Sequence, residues 1–143
     1  MKHLLYISVF MFTITAFSQT AEQEKEMNAI INYVQETQQE GTFAVENIRQ
    51  QNDQGEEVVT TYYVDQKQIF CIIHNVYAKV QKETTYYLKN NELILSIIRE
   101  DAAKPDEIYY FIKDKQLINP EDLHTDYPLE KVLQDCHILV ERF

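Results

Sequence analysis

Past residue 56 the alternation of apolar and polar positions follows one pattern, repeated without a gap. Thr61-Tyr62-Tyr63-Val64 precedes Asp65-Gln66-Lys67-Gln68 and then Ile69-Phe70. The pattern recurs 24 positions on as Thr85-Tyr86-Tyr87-Leu88, Lys89-Asn90-Asn91-Glu92 and Leu93-Ile94. It recurs 24 positions further as Tyr109-Tyr110-Phe111-Ile112, Lys113-Asp114-Lys115-Gln116 and Leu117-Ile118. Each unit reads as a β-branched and aromatic strand, a short polar turn and a second apolar strand, which is a hairpin signature. Upstream, Phe43 to Arg49 and Glu57 to Val64 flank Gln51-Asn52-Asp53-Gln54-Gly55, another hairpin candidate. Arg99 to Glu107, with Asp101, Pro105 and Asp106, forms an evident turn, and Asn75 to Glu83 occupies the equivalent place one unit earlier. The set predicts an antiparallel β-meander of about six strands, six or seven in all.

Helical spacing brackets this sheet. Met27, Ile30, Ile31 and Val34 recur at three and four residues behind an acidic first turn of Glu22, Glu24 and Glu26. Pro128 stands where a second helix begins, and Leu129, Val132, Leu133, Cys136, Val140 and Phe143 form its apolar stripe. Each stripe needs an apolar surface to cover. The expected fold class is therefore α+β, with an N-terminal and a C-terminal helix packed on one face of the meander.

Lys2 and His3 precede an apolar run from Leu4 to Phe17, and Ala16 and Ser18 sit at the −3 and −1 positions of the bond before Gln19. This layout predicts a signal peptide over residues 1–18 and a single domain over 19–143. The run is short for a spanning helix, which needs roughly 20 apolar residues. A periplasmic or secreted bacterial protein, not inserted in the membrane after cleavage, is the expectation.

The formal net charge is −10, and loss of Lys2 makes it one unit more negative. Phosphate backbones and anionic lipid surfaces repel such a chain, so nucleic acid is excluded as an expected partner. Apolar residues are 45% of the chain, enough for a core. Glycine numbers only 2, which leaves little for a phosphate-cradling loop.

Export changes the reading of the two cysteines, Cys71 and Cys136. An oxidising compartment permits one disulfide between them, with about 4–5 kcal/mol as the entropic ceiling for so long a loop. If Cys136 faces the sheet, Cys71, in the apolar strand Ile69 to Ile73, is a sensible partner.

Catalytic constellations are sparse. His74, His124 and His137 survive cleavage, but none stands at metal-ligand spacing, and no metal or cofactor is expected. Cys71 with His74 and Cys136 with His137 make poor nucleophile pairs, because those spacings point the side chains apart. The acid pairs Glu56-Glu57, Asp106-Glu107 and Glu121-Asp122 read as solvated charge rather than as a glycosidase pair.

Tyrosine is the distinctive residue. Tyr62, Tyr86 and Tyr110 share one repeat position, and Tyr63, Tyr87 and Phe111 share the next, on the opposite face. One row must face the core, and the other could form an exposed aromatic strip. Tyr62, Tyr86 and Tyr110 are the candidate partner-binding residues on that reasoning. The hairpin unit resembles bacterial repeat proteins that carry Tyr before a turn and Lys-Leu after it, although their turn glycines are missing here. The helix-plus-meander plan resembles small periplasmic inhibitor-like domains. The expectation is a non-enzymatic exported binding protein, an inhibitor or immunity-type factor steered by charge to a basic protein partner. Alternatives are a carrier or sensor for a small apolar ligand held between sheet and helices, and a small hydrolase with an unrecognised site.

Overall fold

The computed structural model describes residues 20–100, 107–119 and 127–143. The signal-cleavage bond, the Pro105 turn, Glu121-Asp122 and His124 lie outside them. The described elements run α1 (Ala21–Glu40), β1 (Ala44–Gln51), β2 (Glu57–Asp65), β3 (Gln68–Tyr77), β4 (Lys82–Lys89), β5 (Glu92–Glu100), β6 (Glu107–Lys113), β7 (Gln116–Leu117) and α2 (Leu129–Arg142). The strands pair in chain order into one seven-stranded antiparallel sheet. The α+β meander with a helix at either end is the architecture the pattern predicts.

The sequence repeat is a structural repeat in detail. Its three hairpins turn on Gln66-Lys67, Asn90-Asn91 and Asp114-Lys115, and all six residues have positive φ, from 47° to 67°. A two-residue turn with both centres left-handed matches the right-handed twist of the flanking strands, which is why hairpins favour it. Asn and Asp tolerate this region, whereas Gln66, Lys67 and Lys115 occupy it at a steric cost. The register then slips at equivalent places. Tyr63 pairs Cys71 and Val64 pairs Ile69, leaving Phe70 extra; Tyr87 pairs Leu95 and Leu88 pairs Leu93, leaving Ile94 extra. These bulges sharpen the local twist.

The register also sorts the side chains. Tyr62, Ile72, Tyr86, Ser96 and Tyr110 lie opposite one another across β2 to β6. Their chain neighbours Tyr63, Cys71, Tyr87, Leu95 and Phe111 make the parallel row on the other face. Each row belongs to a separate core. The first packs with Val132, Cys136 and Leu139 of α2. The second packs with Met27 and Val34 of α1. The two helices therefore cover opposite faces, not one shared face. The physical reason is in the repeat: with aromatics at two successive positions, both faces are apolar and each needs a cover.

Helix ends fit their surroundings. The Thr20 hydroxyl accepts from the Gln23 amide and the Gln23 side chain accepts from the Thr20 amide, closing a capping box on α1. After α1 the chain turns at Gly41. A Cβ there would stand 2.2 Å from the Phe43 ring and 2.6 Å from the Thr37 carbonyl oxygen. Only glycine lets Phe43 fold back to stack on Phe70, with 5.2 Å between centroids.

Replacing Gln66-Lys67 with Asn-Gly removes the cost at the first hairpin turn. A gain of about 1 kcal/mol is expected, read as a rise of about 3–5 °C in Tm by circular dichroism.

Candidate functional site

Tyr62, Tyr86 and Tyr110 are not an exposed strip. They are 1%, 4% and 0% exposed, and α2 lies over them. The Tyr110 hydroxyl donates to the Tyr127 carbonyl at 2.6 Å, just before α2 starts. The Tyr62 hydroxyl donates to the Leu139 carbonyl at 2.8 Å, in the last turn, where carbonyls lack helical partners. The row is thus the seat of α2. The companion row is covered as well: Tyr87 and Phe111 are buried under α1, and the Tyr87 hydroxyl accepts from the Gln38 side-chain amide at 3.4 Å.

The cysteines do not meet. Cys71 lies in the α1-side core and Cys136 in the α2-side core, and both are free and buried. The sheet stands between them, so the expected disulfide is not formed. Burial pushes the Cys136 thiol up to about 12. Burial, with Glu83 nearby, raises Cys71 as well. Neither thiol is a ready nucleophile.

Other chemical candidates are occupied structurally. His74 Nδ1 lies 2.9 Å from the Thr60 hydroxyl, and burial lowers its pKa. His137 is exposed and 3.2 Å from Glu141 one turn on. Glu57 pairs with Arg49 at 3.2 Å, and Glu56 accepts from the Asn52 side chain at 2.9 Å. Glu107 pairs with Arg99 at 2.7 Å. Among the described residues no group of three or more His, Cys, Asp or Glu is placed to hold a metal ion, and no helix is long and apolar enough to cross a membrane.

Among the described residues nothing covers β1. All eight of its residues are exposed, including Val45 at 44% and Ile48 at 38%. Val45 and Ile48 are three apart, so they point to opposite faces and neither face of β1 is apolar enough to recruit a helix. Its inner edge pairs with β2 throughout, from Ala44↔Val64 to Gln51↔Glu57. The Asn52 amide donates to the Glu56 carbonyl at 3.0 Å, which sets the phase of that ladder. By alternation, the N–H and C=O groups of Ala44, Glu46, Ile48 and Gln50 point to β2, and those of Val45, Asn47, Arg49 and Gln51 point outward. Asn47 is held by the Thr61 hydroxyl at 2.7 Å. Among the described residues Glu46 has no ion-pair partner.

The opposite edge is blunted. There β7 has two residues, and Asn119 follows. Its side-chain amide accepts from the Phe111 N–H at 2.9 Å and donates to the Tyr109 carbonyl at 2.8 Å. One amide side chain thereby takes the place of a strand's peptide group. Natural sheets protect edges in such ways; on β1 the described residues offer only the charges of Glu46 and Arg49.

A second feature is an apolar cleft of about 680 Å³ at the turn end of the sheet. Ile30 and Tyr33 of α1, Leu93 and Ile94 of β5, and Leu133 and Val140 of α2 line it. Lys113 pairs with Glu26 at 2.5 Å beside it. Lys89 Nζ sits 4.5 Å from the centroid of the Tyr33 ring.

No protein-family model, curated protein or solved structure matches the chain.

Tyr62, Tyr63, Tyr86, Tyr87, Tyr109 and Tyr110 and both thiols have raised pKa values, with burial the largest cause in every case. The folded chain thus holds these protons more tightly than the unfolded chain. Their contribution is complete below the ordinary thiol value of 9.0 and is lost as pH rises beyond it. Tm followed by circular dichroism is expected to fall steadily above about pH 9; a Tm unchanged at about pH 10.5 would contradict the burial of these groups.

Proposed function

We propose that the chain is a non-enzymatic binding protein, exported from the cytoplasm, that holds a basic polypeptide partner at its uncovered β1–β2 hairpin. The observation that carries this reading is β1 itself: eight exposed residues at a sheet edge that nothing among the described residues covers, in a fold whose other edge is blunted by a two-residue strand and Asn119. Around it Glu46, Asp53 and Glu56 outnumber Arg142, the cation that acts on Tyr62 from the end of α2, and Arg49 is matched by Glu57. The whole chain has formal net charge −10. Acidic surroundings speed encounter with a basic partner and discriminate against acidic ones.

The test is capture from culture by the immobilised protein at two salt concentrations. Retention of a basic protein at about 50 mM salt, with release by about 300 mM, is expected. Replacing both Val45 and Glu46 with Lys should abolish it with Tm unchanged, because neither side chain is in a core. Capture that persists in this double variant overturns the assignment of the site.

The cleft favours a second reading, a carrier for a small apolar ligand. Its volume lies within the roughly 300–1,000 Å³ typical of ligand sites, and its floor is apolar. An anilinonaphthalene sulfonate dye is expected to brighten on binding the native protein. Leu133→Trp, which fills the cleft, should cut that enhancement about tenfold; equal brightening by the variant would remove this reading.

A further inference from the structure

We infer that the partner binds by strand addition: an extended segment alternating basic and apolar residues pairs with the outer edge of β1 as an eighth strand. This rests on the reading of β1 as the binding element and specifies its chemistry. Val45, Asn47, Arg49 and Gln51 each direct an N–H and a C=O outward, so the edge offers a ladder along the whole strand. Among the described residues nothing packs over β1 on either face. α2 ends over β2, where Tyr62 holds the Leu139 carbonyl, and α1 packs with a core that contains no β1 residue. Side chains of an added strand therefore meet β1 neighbours and water, not a helix.

The two faces of β1 differ, and this sets the alternation. On the α2 side its residues are Ala44, Glu46, Ile48 and Gln50, with Glu46 the single charge. On the α1 side they are Val45, Asn47, Arg49 and Gln51, with the Arg49 charge matched by Glu57. A segment with cations on the first face and apolar residues on the second meets Glu46 on one side and Val45 on the other. A second copy of this chain suits the edge less well, because it brings together two chains of formal net charge −10.

The probe is a labelled peptide of about ten residues alternating lysine and valine, titrated by fluorescence anisotropy into the full chain. Saturable binding is expected, weakening about tenfold between about 50 and about 300 mM salt. Amide exchange of Val45, Asn47 and Arg49 should slow on binding, while Glu46, Ile48 and Gln50, already paired to β2, change little. Asn47→Pro deletes one outward N–H and spares the inner ladder, so affinity should fall about tenfold or more. The same peptide N-methylated on alternate amides, so that no donor faces β1, should also fail to bind, and that arm leaves the protein untouched.

Three results would overturn strand addition. In the first, a peptide of the same composition with lysines and valines in two blocks binds as tightly, which means charge alone. In the second, Asn47→Pro and the N-methylated peptide bind normally while Glu46→Lys abolishes binding. That leaves the hairpin as the binding surface and removes only the ladder. In the third, the β1 amides slow with rising protein concentration alone, which identifies the occupant of the edge as a second copy.

Discussion

Two tyrosine hydroxyls at the ends of one helix organise the molecule. Tyr110 and Tyr62 stand four strands apart, about 19 Å at the usual strand spacing of about 4.8 Å. α2 has 14 residues, about 21 Å at 1.5 Å per residue. The row and the helix are matched in length, and each hydroxyl reaches a main-chain carbonyl at one end. Phenylalanine would supply the same apolar area without the anchor, each anchor being worth about 1 kcal/mol. Because α2 is spent on β2 through β6, it does not extend over β1, and among the described residues both faces of that strand stay exposed.

The same economy governs the other face. α1 lies on the Tyr63–Phe111 row, and the next polar row, Glu83, Arg99 and Glu107, is tied by Arg99 bonds of 3.3 and 2.7 Å. Each partner is about a third exposed, so the value of this trio lies more in fixing orientation than in stability. Stability resides in the two aromatic cores. Polar ladders mark where the helices stop.

The hairpins and their order were legible in the chain because a period of 24 residues repeats strand and turn together, and both helices because apolar residues recur at three and four positions. What periodicity leaves open is the division of labour between faces. Two adjacent aromatic positions show that both faces are apolar, but not that each has its own helix. Placing both helices on one side also led to an open Tyr strip and to a Cys71–Cys136 bond, and the sheet between the cores removes both. β1 was visible as a strand, yet its exposure was legible only in a weaker signal, the odd spacing of Val45 and Ile48. The capping of β6 by Asn119 has no local signature, since it depends on a side chain meeting backbone ten residues away.

The seating of α2 on its tyrosines also limits how this architecture can grow. The two junctions between hairpin units, β3 with β4 and β5 with β6, share one register, so a further unit of 24 residues could be spliced between β5 and β6 without disturbing the pairing on either side. It would widen the sheet by two strands, about 9.6 Å. α2 would then need about six more residues to reach from its first anchor to its last. Gene duplication within the meander is consequently not neutral for the C-terminal helix: repeat number and helix length must change together, or a tyrosine is stranded in water.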